Sequence, residues 1–172
     1  MKKILLSIGL ASILASSIHA SNFGYKKSDI GSYMFGLVVG GNYSQENEDY
    51  YFYGGLNTNY MYDITERINI GGKAYALYET DYGFSIQAYP YVGYKVTEDF
   101  NAYVGYGLNS WFGTTDDFDA YGIDYTFLTV GVDYYISEDL IIELNYKRKS
   151  FDEDLEPDNT ISLNIVIPFN FY

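Results

Sequence analysis

Few residues of the types that carry out chemistry are present. The sequence has 1 His and no Cys, and the histidine is His19, close to the N-terminus. Beyond it no imidazole is available as a general base near neutral pH. The lack of cysteine removes thiolate nucleophiles, disulfides, thiolate metal sites and an acylated lipoprotein cysteine. A pair of carboxylates could still divide acid and base roles, and Asp133 with Glu143 is the one candidate pair. The plainer reading joins them to Lys73 and Lys147 as inward-facing charges that must neutralise one another, because an unpaired buried charge is costly. That reading is preferred, so no catalytic residue is expected. Asp152, Asp154, Glu156 and Asp158 place oxygen ligands at alternate positions as a calcium loop does, but Pro157 stands where the tight-turn glycine belongs. A solvated acidic rim that holds divalent cations loosely is expected there. No metal site and no cofactor are expected.

These residues need elements to position them, and the N-terminus says where the chain is sent. Lys2 and Lys3, an apolar run from Ile4 to Ala15 and the small residue Ala20 form the order of a secretory signal peptide. The run is about a dozen residues, too short to cross a bilayer core of roughly 30 Å as a helix. Residues 1–20 are therefore expected to be cleaved, leaving 152 residues, a size that suits one domain. Both lysines leave with the leader, so the formal charge moves from −13 to −15. Nucleic acid is excluded as a partner by that balance.

Composition favours strands, with 22 Tyr, 11 Phe and 17 Gly against 3 Pro. Three segments repeat one pattern: Tyr62-Asp63-Ile64-Thr65-Glu66-Arg67-Ile68, Tyr94-Lys95-Val96-Thr97-Glu98-Asp99-Phe100 and Tyr134-Tyr135-Ile136-Ser137-Glu138-Asp139-Leu140. Alternating apolar and polar positions flank each, so each reads as a tight turn between two half-buried strands. Polar stretches at Ser44 to Asp49, Glu79 to Tyr82, Gly113 to Asp119 and Phe151 to Asn159 read as loops. Three turns and four loops connect eight strands, of 11 to 15 residues each, enough to cross a bilayer on a tilt. One face of each strand is apolar, as in Ile161, Leu163, Ile165, Ile167, Phe169 and Phe171, with Val166 interrupting the alternation. Tyrosines near strand ends, among them Tyr33, Tyr60, Tyr94 and Tyr134, suit the two interfacial girdles of a membrane barrel. The other face carries Asn, Gln, charge and glycine, with Tyr75, Tyr89, Tyr91 and Tyr103 expected to lie across the lumen over glycines. Pro90 and Pro168 break the donor pattern of a closed sheet, so a bulge or register shift is expected at each.

The chain at this point resembles the small eight-stranded outer-membrane β-barrel family, which includes OmpA/OmpX-like transmembrane barrels and opacity-like proteins of the porin family. The resemblance covers residues 32–172 and rests on the three Tyr-x-(Ile/Val)-(Thr/Ser)-Glu turns and on the terminal strand ending Ile167-Pro168-Phe169-Asn170-Phe171-Tyr172. It implies an all-β fold, an eight-stranded antiparallel up-and-down transmembrane β-barrel, in the outer membrane of a Gram-negative cell. The expected organisation is a signal peptide at 1–20, a short periplasmic segment at 21–31 and the outer-membrane β-barrel domain at 32–172. The expected partners are outer-membrane lipids and lipopolysaccharide, whose phosphates Arg148 could contact, and the barrel-assembly machinery acting through the C-terminal strand. A monomer is expected. Family does not fix function. A non-enzymatic structural or surface-interaction role through acidic extracellular loops is the leading expectation, and a narrow channel for small solutes is its alternative.

Overall fold

The computed structural model describes residues 26–28, 31–45, 48–79, 83–112, 125–150 and 159–169. A short strand β1 (Lys26–Ser28) precedes eight long ones: β2 (Gly31–Ser44), β3 (Asp49–Asp63), β4 (Ile68–Glu79), β5 (Gly83–Lys95), β6 (Phe100–Phe112), β7 (Tyr125–Ser137), β8 (Leu140–Ser150) and β9 (Asn159–Pro168). Each long strand pairs antiparallel with the next, and β9 returns to pair with β2, which closes an eight-stranded up-and-down barrel. The pattern in the sequence did not suggest β1. It folds back on the start of β2, with Ser28 opposite Gly31, and Gly31 has a φ of 142°, a conformation that a side chain would resist.

The stagger of the barrel follows from the pairing. From Ser32 the ladder runs through Met61, Gly71, Tyr91, Gly105, Thr129, Lys147 and Thr160 and returns to β2 at Ser44, twelve residues further along the same strand. For eight strands, that stagger implies a tilt of about 45° and a backbone radius of about 9 Å, given the rise and spacing of strands. Such a lumen needs large side chains to fill it.

The three repeated segments form the turns 64–67, 96–99 and 138–139 at one end of the barrel, and in the first and the third the Thr or Ser has a physical task. Thr65 Oγ1 accepts hydrogen bonds from the amides of Arg67 at 3.2 Å and Ile68 at 2.9 Å, and Ser137 Oγ accepts from Asp139 N at 3.2 Å. The side chain thus satisfies amides that the ladder cannot reach. Turns also brace their neighbours: Lys95 N donates to Arg67 O at 2.7 Å, Tyr135 N to Asp99 O at 2.8 Å, and Lys95 Nζ pairs with Asp63 Oδ2 at 2.6 Å. At the other end two of the four connections, 45–48 and 80–82, are as short as the turns, so the loops there are of unequal reach.

Two expectations about the ladder need correction. Proline does not shift the register. Pairing of β5 with β6 passes from Ala88↔Leu108 to Tyr91↔Gly105 in unchanged register across Pro90, which sits outward and leaves only the missing donor behind. Pro168 lies at the end of β9, beyond the last β8 partner at Val166, and pairs with Gly36 in register. Among the described residues the one irregularity lies between Tyr135 and Ser137, where β7 enters its turn. Val166 is the apolar member of an otherwise polar row: it faces inward with Ser162 and Asn164 and is fully buried.

Polarity is inverted relative to a water-soluble protein. Large apolar side chains stand outside, among them Leu128, Val130, Leu144, Leu163 and Ile165, while 19 polar or charged residues among those described lie buried within. Tyr33, Tyr60, Tyr62, Tyr94 and Tyr134 are exposed toward the turn end, and Tyr50, Phe52, Tyr78, Phe84 and Phe112 toward the loop end. These are the two aromatic girdles of a transmembrane barrel, with the apolar belt between them.

Candidate functional site

The candidate site is the lumen. In a strand successive side chains alternate between faces, so the polar residues at every second position of eight strands converge on one axis. At the centre Lys73 on β4 meets Asp133 on β7 and Glu143 on β8, with Nζ 2.6 Å from Asp133 Oδ1 and 2.8 Å from Glu143 Oε1. Nζ also donates to the Tyr103 hydroxyl at 3.3 Å and stands 4.3 Å from the centre of that ring. Glu143 spends its second oxygen on the Tyr75 hydroxyl at 2.9 Å and on Asn164 Nδ2 at 3.0 Å. All three charged side chains are buried, so the contacts act at low dielectric, where charge-assisted hydrogen bonds are strong.

Tyrosines complete this layer. Tyr75, Tyr89 and Tyr103 stack in sequence at centroid separations of 6.1 and 6.3 Å, and Tyr91 lies 5.3 Å from Tyr103. Tyr53 and Tyr103 donate to Asn164 and Asn145 respectively, and Tyr91 donates to Asn59 at 3.1 Å. Three of the rings lie across a glycine directly opposite on the neighbouring strand: Tyr53 on Gly40, Tyr91 on Gly71 and Tyr103 on Gly131. A methyl group at Gly131 would sit 2.6 Å from the Tyr103 hydroxyl, and one at Gly71 would sit 2.5 Å from that of Tyr91. Glycine is required there because the ring needs the space. Together the charges and rings form a septum across the barrel.

Lys147 departs from expectation. It was expected to pair with a carboxylate, but its Nζ reaches across the lumen to Gln87 Oε1 at 2.6 Å, and no carboxylate lies within ion-pair distance of it among the described residues. Glu79 acts on it from further away. Sequence reasoning assigned Glu79 to a loop. It closes β4 instead, buried, with its carboxylate accepting from Ser85 Oγ at 3.4 Å. The signal was the alternation Lys73, Tyr75, Leu77, Glu79, which runs one step past the assumed end of the strand. Tyr53 was likewise missed as a lumen ring, although Tyr51, Tyr53, Asn57 and Asn59 share its face. Asp133 and Glu143 share a single lysine, which makes them an ion-pair cluster. Arg148 is exposed on the outer face of β8 and takes no part in the lumen. Asp152, Asp154, Glu156 and Asp158 lie outside the described residues, as do residues 1–20 and the terminal Phe171 and Tyr172.

No family model matches the sequence, and no curated protein does. Solved structures do resemble it. A de novo designed transmembrane β-barrel matches at a TM-score of 0.48 and 16% identity, over 83% of this chain and 99% of that one. The N-terminal β-barrel domain of Pseudomonas aeruginosa OprF matches at a TM-score of 0.46 and 14% identity, over 79% of this chain and 97% of that one. Ail, the attachment invasion locus protein of Yersinia pestis, solved in complex with the heparin analogue sucrose octasulfate, matches at a TM-score of 0.46 and 12% identity, over 81% of this chain and 99% of that one.

Proposed function

We propose that this chain is an exported, non-enzymatic outer-membrane barrel whose task is structural or lies in surface interaction through the acidic connections at its loop end. The observation that carries the reading is the inverted polarity: an apolar belt between two aromatic girdles outside, and a buried polar septum inside. The septum also speaks against the channel alternative, since Lys73, Tyr89 and Glu143 are each at most 2% exposed at mid-lumen. Contact of Arg148 with a lipopolysaccharide phosphate belongs to this reading, supported by the exposure of Arg148 beside the loop-end girdle and by the bidentate fork in which guanidinium binds phosphate. Asp152, Asp154, Glu156 and Asp158 supply oxygen ligands for loose cation binding, and the C-terminal strand is the segment offered to the assembly machinery.

The test is fractionation followed by gel mobility with and without boiling. Recovery in the outer membrane with a mobility shift on heating supports a closed membrane barrel. A soluble protein without a shift overturns the reading. Planar-bilayer recording then separates the two roles, because steady single-channel steps from the unmodified protein would favour a pore.

A further inference from the structure

Above the septum the lumen changes character. Thr129 on β7 lies directly opposite Lys147 on β8, Asn145 precedes Lys147 on the same face, and Asn109 on β6 lies directly opposite Gln87, the residue Lys147 reaches. All of them are buried. Asn109 Nδ2 and Oδ1, Thr129 Oγ1 and Asn145 Nδ2 have no hydrogen-bond partner. The Lys147 ammonium carries three hydrogens and gives one to Gln87, so two are unspent. Buried polar groups are normally satisfied, and a buried cation normally has a counter-charge. Here a cation and three side chains able to donate occupy neighbouring inward positions on the loop side of the septum, and among the described residues no acid lies within ion-pair distance of Lys147.

We propose that this upper lumen is a binding site for a small oxyanion of phosphate size taken from solution. Lys147 supplies the charge, and Asn109, Thr129 and Asn145 supply neutral hydrogen bonds around it. Such a donor set matches a tetrahedral or planar oxyanion, whose several oxygens each accept hydrogen bonds. The Phe127 ring, centred 5.7 Å from Lys147 Nζ, walls the site on one side. The Lys73 septum closes it below, so the site is a dead end and not a passage. Glu79 opposes the ligand from the far wall, and Lys149, which stands 4.8 Å from the Tyr125 ring, adds positive charge higher on β8. The proposal rests on the lumen's geometry and is independent of the role given to the loops.

The test uses the folded full-length barrel in maltoside micelles free of lipopolysaccharide, titrated with inorganic phosphate and followed through the side-chain amide resonances of Asn109 and Asn145. A saturable shift of both is expected, with affinity at least tenfold weaker in Lys147→Met, retained in Lys147→Arg and unchanged in Lys95→Met, a cation at the turn end of the barrel. No saturable shift overturns the proposal, and so does an equal shift in Lys147→Met. Should Lys147→Met lose its heat-dependent mobility shift, the Asn109→Leu/Thr129→Val double variant replaces it. Weaker binding by that variant supports the site, and unchanged binding overturns it.

Discussion

At the scale of single residues the septum depends on one lysine serving two acids. Lys73→Met would leave Asp133 and Glu143 buried side by side without a counter-charge, and breaking a buried pair in this way costs about 3–5 kcal/mol. The triple variant Lys73→Met/Asp133→Asn/Glu143→Gln removes the charges together and is expected to recover most of that loss. Urea unfolding of the folded barrel in micelles measures both. Equal stability of the single and triple variants would mean that the charges are hydrated in place. The membership of this cluster could be listed from the sequence, because strand alternation puts its residues on the inward face. Its partition could not. Which acid Lys73 meets, and that Lys147 turns to Gln87, depends on how far the strands are staggered around the barrel, and no local pattern encodes that distance.

At the scale of elements two devices recur. The first is the repeated turn, capped by the side chains of Thr65 and Ser137 and legible as a repeat because Thr65, Thr97 and Ser137 occupy one position in each copy. Thr65→Val keeps the shape of the side chain and removes the acceptor for two amides. It is expected to cost about 1 kcal/mol in unfolding free energy, the typical worth of a lost hydrogen bond. The second device is the ring laid across a glycine. Gly131→Ala must displace Tyr103 and Asn145, an overpacking expected to cost about 1–3 kcal/mol by the same assay. Tyr103→Leu in the same chain should cancel the part of that penalty due to the clash, so the two changes are expected to be strongly non-additive. Additive losses would show that the ring can move aside freely. The glycines and tyrosines were visible as alternating inward positions, yet the pairing of one with the other required the register. The prolines show the converse. Their chemistry suggested bulges, but a single missing donor at Pro90 and a strand end at Pro168 are absorbed without a shift. The short β1 had no periodic signature to announce it, since three residues are too few for one.

At the scale of the whole molecule the question is which solvent the outer surface meets. Adjacent residues on β9 give the sharpest test, because Leu163 is 55% exposed and Asn164 2% exposed on the same strand. In water an exposed leucine is dispensable, and Leu163→Arg would leave stability nearly unchanged. In a bilayer the same arginine must enter the hydrocarbon, and a cation on the lipid face of a barrel costs about 2–4 kcal/mol at the midplane, falling toward the interfaces. Leu163→Arg is therefore expected to lose that amount when folding is measured into phospholipid vesicles. Arg148→Leu, close to the loop-end interface, should change little by the same measure. If Leu163→Arg folds as well as the unmodified chain into vesicles, the apolar belt does not face lipid. The inverted polarity would then need a different cover, such as another protein surface around the barrel. The expected gradient from mid-strand to rim ties the alternation of apolar residues in the sequence to the medium in which the barrel folds.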